Sequence, residues 1–282
     1  MFSPRYAPEW YIGTMGFSYA EWNGVFYPDD LPMHRRLGYY SRIFNAVEID
    51  STFYGTPRPE TVRSWAASTP PEFRFSVKVP RLLTHEAGLV GVMDELPRFI
   101  HTVQLLEDKL GAILFQLPPS FRPDRLPALQ ACLAGLPGGI RYAVEIRHQS
   151  WYTAEIETPE DPPGEPALAQ MLREVGVCWA ATEYPHLPRR IYPTADFLYL
   201  RWIGQHGTFP RHDQERIDRT VELRHWGQIL QSAQSEIEER LMIFGFFNND
   251  YAGFAAGTAN RFKELSGLPA SPFLPPQQGK LF

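Results

Sequence analysis

Long apolar runs are missing from this chain. The longest are of strand length, so the sequence predicts no membrane-spanning helix. Cysteine is scarce: Cys132 and Cys178, far apart and in no metal-ligand spacing, are the 2 in 282 residues. They read as buried thiols of a reducing cytoplasm, with no disulfide framework. Lysine is rarer still relative to arginine. Of 27 basic residues the lysines are Lys78, Lys109, Lys263 and Lys280 alone, so a lysine at a strand end stands out. The opening Met1-Phe2-Ser3-Pro4-Arg5-Tyr6 has no basic segment leading into an apolar one, and a cytoplasmic location is expected. No glycine-rich dinucleotide fingerprint follows the first strand, and no internal repeat is visible. Net positive charge is also lacking. At -5 overall, nothing draws the whole molecule to nucleic acid or to an anionic membrane.

What is present is an alternation of strands and helices. The stretch Ala46-Val47-Glu48-Ile49-Asp50-Ser51-Thr52-Phe53-Tyr54 alternates apolar and acidic residues and runs into a loop, between two helical patterns. Flanking helices imply a parallel strand covered on both faces. A carboxylate there must be paired or lie at the open end. Further strands are expected at 10–15, 73–79, 112–117, 141–148, 177–181, 197–203 and 241–247, giving eight. Helices are expected after Pro32 and Pro59, over 94–110 with Gly111 as its end, and over 126–133, 168–175, 213–240 and 252–265. Prolines and arginines over 184–193 forbid a regular helix, so a loop replaces the sixth crossover. The acidic, proline-rich 155–166 reads as an exposed insertion, and 269–282 as an extended tail. Eight strands separated by helices in about this length predict one α/β domain over 1–282, a (β/α)₈ TIM barrel.

Several blocks carry a family resemblance. They are Ile12-Gly13-Thr14-Met15-Gly16-Phe17-Ser18-Tyr19-Ala20-Glu21-Trp22, Val47 to Tyr54, Phe75-Ser76-Val77-Lys78 with Thr84-His85, Leu114-Phe115-Gln116-Leu117-Pro118-Pro119-Ser120-Phe121, Val144-Glu145-Ile146-Arg147-His148 with Ser150-Trp151, and Phe247-Asn248-Asn249-Asp250. In this order they resemble the YecE-like family of uncharacterised TIM-barrel proteins, over nearly the whole chain. The resemblance implies the barrel and no established activity. Asp50 stands where the family often has Asn, and the 155–166 loop is longer than usual.

In such a barrel the C-terminal strand ends form the ligand face. Placed there are Tyr19, Glu48, Asp50, Tyr54, Lys78, His85, Gln116, Glu145, Arg147, His148, Arg201, Asn248, Asn249 and Asp250. Glu48 and Glu145 could be an acid/base pair; equally, each could be ion-paired to Arg147 or Arg201. Lys78 could form a Schiff base; a cation that neutralises a carboxylate or holds a phosphate is the favoured reading. Arg147, Arg201 and Lys78, with Asn248 and Asn249 as donors, suit an anion. Trp22, Tyr27, Tyr54 and Trp151 could stack on a base or sugar, or simply pack the loops. The arginines between 189 and 224 are interleaved with acids and read as a solvated helix face rather than a nucleic-acid groove. The expectation is a protein that binds an anionic, phosphate-bearing small molecule or nucleotide, with no cofactor and no metal. If it is an enzyme, Glu48, Glu145 and Lys78 are the catalytic residues. The alternatives are a metal-dependent phosphodiesterase on nucleic acid, with His85, His148 and the carboxylates as ligands, and a non-enzymatic binding or scaffold protein.

Overall fold

A computed structural model describes residues 7–152, 165–235 and 241–271. Nine parallel strands form one sheet. They are β1 (Glu9–Met15), β2 (Ala46–Ile49), β3 (Arg74–Lys78), β4 (Leu110–Gln116), β5 (Tyr142–Glu145), β6 (Cys178–Trp179), β7 (Ala181–Glu183), β8 (Phe197–Trp202) and β9 (Met242–Phe247). Each pairs with its sequence neighbour, and β1 pairs with β9. The result is a nearly closed, TIM-barrel-like ring. The expected sixth strand is two pieces. β6 pairs with β5 and β7 with β8. At Ala180, between them, the N–H still bonds Val144 O at 2.9 Å. One short stretch thereby changes partners across the closing seam.

The helices are α1 (Arg36–Tyr40), α2 (Pro59–Ala67), α3 (Leu96–Val103), α4 (Leu126–Ala134), α5 (Ala167–Glu174), α6 (Thr220–Ser235), α7 (Asn249–Ala252) and α8 (Ala255–Leu265). No helix lies between β7 and β8, as the prolines there dictate. Three expected boundaries need correction. The 94–110 helix stops at Val103 and tightens into a 3₁₀ turn over Gln104–Lys109. Gly111 does not end it; it lies inside β4, where an added Cβ would sit 2.8 Å from the Phe244 ring. The helix expected from Asp213 begins at Thr220, after a loop tied down by ion pairs such as Arg216–Asp213. The 155–166 insertion falls outside the described residues except Glu165 and Pro166, and the tail falls outside except at its first three positions. Among the described residues no helix is long and apolar enough to cross a membrane.

Two apolar layers follow from the period-2 alternation of strand side chains. Outward residues such as Val47, Val77, Ile113, Val144 and Leu198 pack under the helices. Inward residues fill the barrel: Tyr11, Ala46, Ala112, Leu114, Ala143, Cys178, Phe197, Tyr199, Phe244 and Phe246. Rings from β1, β8 and β9 pack on one another there, Tyr11 on Phe244 at 5.0 Å and Tyr199 on Phe246 at 5.3 Å, while β2, β4 and β5 contribute alanines to the same cluster. Both cysteines are free and buried. Close approach explains Gly13: an added Cβ would lie 1.9 Å from Ala46 O, inside the β1–β2 pairing.

A charged plug and an open cationic rim

On three strands the top inward position is charged and breaks the apolar pattern. On β2 it is Glu48, on β5 Glu145, on β8 Arg201, and all three are almost wholly buried. Arg201 lies between the two acids. Its Nε and Nη2 donate to Glu48 at 2.9 and 2.6 Å, and its Nη1 donates to Glu145. Arg147, just past β5, donates from Nε to the other Glu145 oxygen at 2.6 Å. Tyr199, two residues before Arg201 and so on the same face, donates its hydroxyl to Glu48 at 2.7 Å. Two carboxylates and two guanidiniums thus form a neutral plug above the apolar floor. Charges this deep persist only when paired and hydrogen-bonded.

The two acids differ. Burial pushes the Glu145 carboxyl up, but the charges and hydrogen bonds of Arg201 and Arg147 outweigh it and hold the group at about 2. For Glu48 burial dominates and the shift is upward, against the pull of Arg201 and Tyr199. Every oxygen of both acids carries a hydrogen bond. Proton transfer to a ligand by either would require breaking part of this set.

Above the plug, local turns set the next layer. After β2 the chain makes a 3₁₀ turn over Ser51–Tyr54. Thr52 Oγ1 lies 2.8 Å from Ile49 O and 2.7 Å from Lys78 O, and it accepts the Lys78 N–H at 3.2 Å. This tie brings Phe53 beneath Lys78, whose Nζ sits 3.9 Å from the ring centre. Among the described residues that ammonium has no hydrogen bond and no carboxylate within 4.0 Å. Burial lowers its pKa most; Asp50 opposes that and Arg201 adds to it. A single π-type turn over Leu82–Glu86, a form that recurs at functional sites, then presents His85. His85 meets the Phe53 ring edge-on at 5.0 Å and is 3.4 Å from Gln116 Nε2. Burial, then the charges of Lys78 and Arg147, depress His85 to about 4, so it is neutral near pH 7. Gln116 donates to it, which leaves Nδ1 to carry the proton toward Thr84 Oγ1 at 2.9 Å. Arg147 spends only Nε on Glu145; its plane lies over Tyr184 at 4.8 Å, and its Nη atoms have no acceptor among the described residues.

Across the mouth is a cavity of about 560 Å³ lined by Tyr19, Asp50, Tyr54, Asn248, Asn249 and Asp250, with His206 and His212. Asp50 Oδ1, 3.9 Å from Arg201, and Asn249 Nδ2 are buried without a hydrogen-bond partner. Tyr54 is 87% exposed at its rim. The expected residues therefore fall into three groups. Glu48, Glu145 and Arg201 form the plug. Lys78, His85, Gln116 and Arg147 converge on one side, and Tyr19, Asp50, Tyr54, Asn248 and Asn249 on the other. Two stand apart. Trp151 is buried, stacked on Phe121 and donating to its carbonyl at 2.8 Å; His148 is bonded to Ser150, at 2.6 Å from its Oγ. Trp22 and Tyr27 pack the loop interior.

Sequence reading missed Tyr199, and it missed Glu21, His206 and His212, which join the expected Asp250 in a chain. His212 bonds Glu21 and Asp250 at 3.1 Å each, and His206 reaches Asp250 at 3.0 Å. The position of both histidines just after β8, on the ligand face, was the available signal. Among the described residues no three His, Cys, Asp or Glu side chains converge as a metal site. Several arginines after β7 and β8 are ion-paired at the surface, as in Arg189–Glu183, Arg211–Asp213 and Arg219–Glu222.

Comparison with known proteins places this architecture. A family profile described as "Protein of unknown function DUF72" matches residues 11–280. The UPF0759 protein YecE of Escherichia coli (strain K12) is 35% identical over 147 residues, and the aligned stretch spans about half of either chain, 50% of each. The UPF0759 protein YunF of Bacillus subtilis (strain 168) is 25% identical over 291 residues, covering 95% of this chain and 98% of its own. Among solved structures, a DUF72 family protein from Thermotoga maritima MSB8 superimposes with a TM-score of 0.69 at 27% identity, covering 91% of this chain and 98% of that one. One from Enterococcus faecalis V583, at 21% identity, shares the fold with a TM-score of 0.70 over 95% of this chain and 99% of that one.

Proposed function

The chain belongs to the DUF72 family, a family of unknown function, and from that premise we propose that it binds a small molecule through an anionic group, a phosphate or a carboxylate, at the C-terminal mouth of the barrel. The observation that carries this reading is the set of cationic donors without acceptors. Lys78 Nζ and both Nη atoms of Arg147 are unbonded among the described residues, while Glu48 and Glu145 are already bonded within the plug. His85, driven to about 4 first by burial and then by the charges of Lys78 and Arg147, is consistent with a positive potential between them. An anion there would gain charge-assisted bonds without displacing an existing pair. Neutral His85 and Gln116 add uncharged polar contacts. In this reading Glu48 and Glu145 do not touch the ligand; they hold Arg201 and Arg147 in place.

The test is calorimetric titration of the protein with inorganic phosphate, pyrophosphate and AMP, at constant ionic strength. Saturable binding is expected. Arg147→Lys, which keeps a cation near Glu145 but removes the paired Nη donors, should weaken it by about 10- to 100-fold, the range of one or two charge-assisted hydrogen bonds. Absence of saturable heat with all three anions, or equal affinity in Arg147→Lys, would remove the basis of the proposal.

A further inference from the structure

The three lysines among the described residues can be compared one by one. Lys109 Nζ donates to the carbonyls of Ala66 and Thr69 at 2.5 and 2.6 Å, capping that helix end. Lys263 Nζ donates to Ile43 O at 3.3 Å. Lys78 Nζ has an aromatic ring beneath it and no acceptor among the described residues, at the C-terminal end of a barrel strand. It is 8% exposed, and its Nζ is not one of the sealed, unpartnered side-chain atoms of the interior. The amine therefore reaches the mouth.

We propose that Lys78 is a nucleophile that condenses with the carbonyl of an anionic aldehyde or ketone, forming an imine above the charged plug. The anionic half of that substrate class rests on the anion-binding reading above; the imine rests on Lys78 alone. The ring of Phe53 holds the ammonium but accepts no hydrogen bond, so losing the proton breaks none. Glu48 and Glu145 are bound by guanidiniums, and Asp50, the carboxylate that most favours the ammonium, makes no ion pair with it within 4.0 Å. Burial favours the free amine, which is how strand-end lysines become nucleophilic. The ammonium first gives up a proton to the solvent at the mouth. The nitrogen lone pair then forms a bond to the carbonyl carbon, and the carbonyl oxygen becomes a hydroxyl. That hydroxyl leaves as water with two of the three hydrogens that the ammonium brought. The third stays on the protonated C=N bond, and no oxidant or reductant is needed. Thr52 fixes the Lys78 backbone, and Arg147 is the cation left to hold the ligand's negative charge.

The full chain is treated with glyoxylate, a small anionic aldehyde, or with uncharged acetaldehyde. Each reaction is reduced with cyanoborohydride and mapped by peptide mass spectrometry, with and without inorganic phosphate. We expect Lys78 to be modified at least about tenfold faster than Lys109 or Lys263, whose ammonium groups must first give up hydrogen bonds to backbone carbonyls. Phosphate should protect Lys78 from glyoxylate. Modification of Lys78 no faster than the other lysines with both aldehydes overturns the imine, even where phosphate binds. Preferential modification by acetaldehyde and glyoxylate alike, with no phosphate protection, upholds the imine and overturns the anion site. Lys78→Met removes an ammonium that makes no hydrogen bond and should abolish the adduct; the wild-type map decides the matter if that variant does not fold.

Discussion

Replacing Glu145 by Gln isolates half of the plug. The side chain keeps its size but loses its charge, and its amide NH₂ meets a guanidinium that also only donates. The native carboxyl lies at about 2, against an ordinary 4.5. A gap of that size corresponds to about 3 kcal/mol, at roughly 1.4 kcal/mol per tenfold change in proton affinity. The native pKa is the lower one, so the unfolded chain binds the extra proton. The contribution is therefore complete above about pH 5 and fades as pH falls toward 2. Glu145→Gln should melt roughly 6–12 °C below wild type at pH 7, at about 2–4 °C per kcal/mol for a chain of this size. The gap should narrow to roughly half as the pH is lowered to 3. Glu48→Gln supplies the opposite sign. Burial raises the native Glu48 carboxyl, so its favourable contribution is present at low pH and is lost as pH rises through the native value. Scanning calorimetry of the three proteins from pH 3 to 8 reads both slopes. A wild-type-to-Glu145→Gln gap that stays constant over that range, or the same slope for both variants, would show that the ion pairs do not set the energetics of the plug.

Two further outcomes are expected. In a ¹⁵N-edited NMR titration, His85 should stay neutral down to about pH 4, and Lys78→Met should move its midpoint upward; a wild-type midpoint near 6.5 would contradict the positive field between Lys78 and Arg147. Gly13→Ala places a Cβ against Ala46 O at 1.9 Å, with no flexible neighbour to yield, and should lower stability by about 3 kcal/mol or more; a melting curve unchanged by the substitution would refute the close approach.

The barrel was legible because its strands are buried on both faces. Ala112 to Leu117 is almost continuously apolar, and prolines mark where helices begin or cannot form. The plug was half legible. Charged residues at otherwise apolar strand ends drew attention to Glu48, Glu145, Arg147 and Arg201, and ion pairing was one of two readings of them. Tyr199 was hidden because a strand tyrosine looks like any core ring; only its spacing from Arg201 places it on the same face. The seam at Ala180 leaves no mark, since a strand that changes partners keeps its alternation. Gly111 was misread because a glycine after a helix and a glycine under a crossing ring look alike in sequence. Trp151 carries the same ambiguity: an aromatic beside a site motif can serve the site or the loop that supports it, and its contact with Phe121 is made by residues 30 apart.

The plug also bears on how the chain is born. Glu48 and Glu145 wait for a cation 153 and 56 residues further along. Until Arg201 has left the ribosome, a growing barrel holds two inward carboxylates with Arg147 as their only plug cation, and closing over them would bury charge uncompensated. Synthesis runs from the N-terminus and domains fold as units. Closing the first five strands before β8 emerges would therefore cost uncompensated buried charge, and β8 carries the cation that removes that cost.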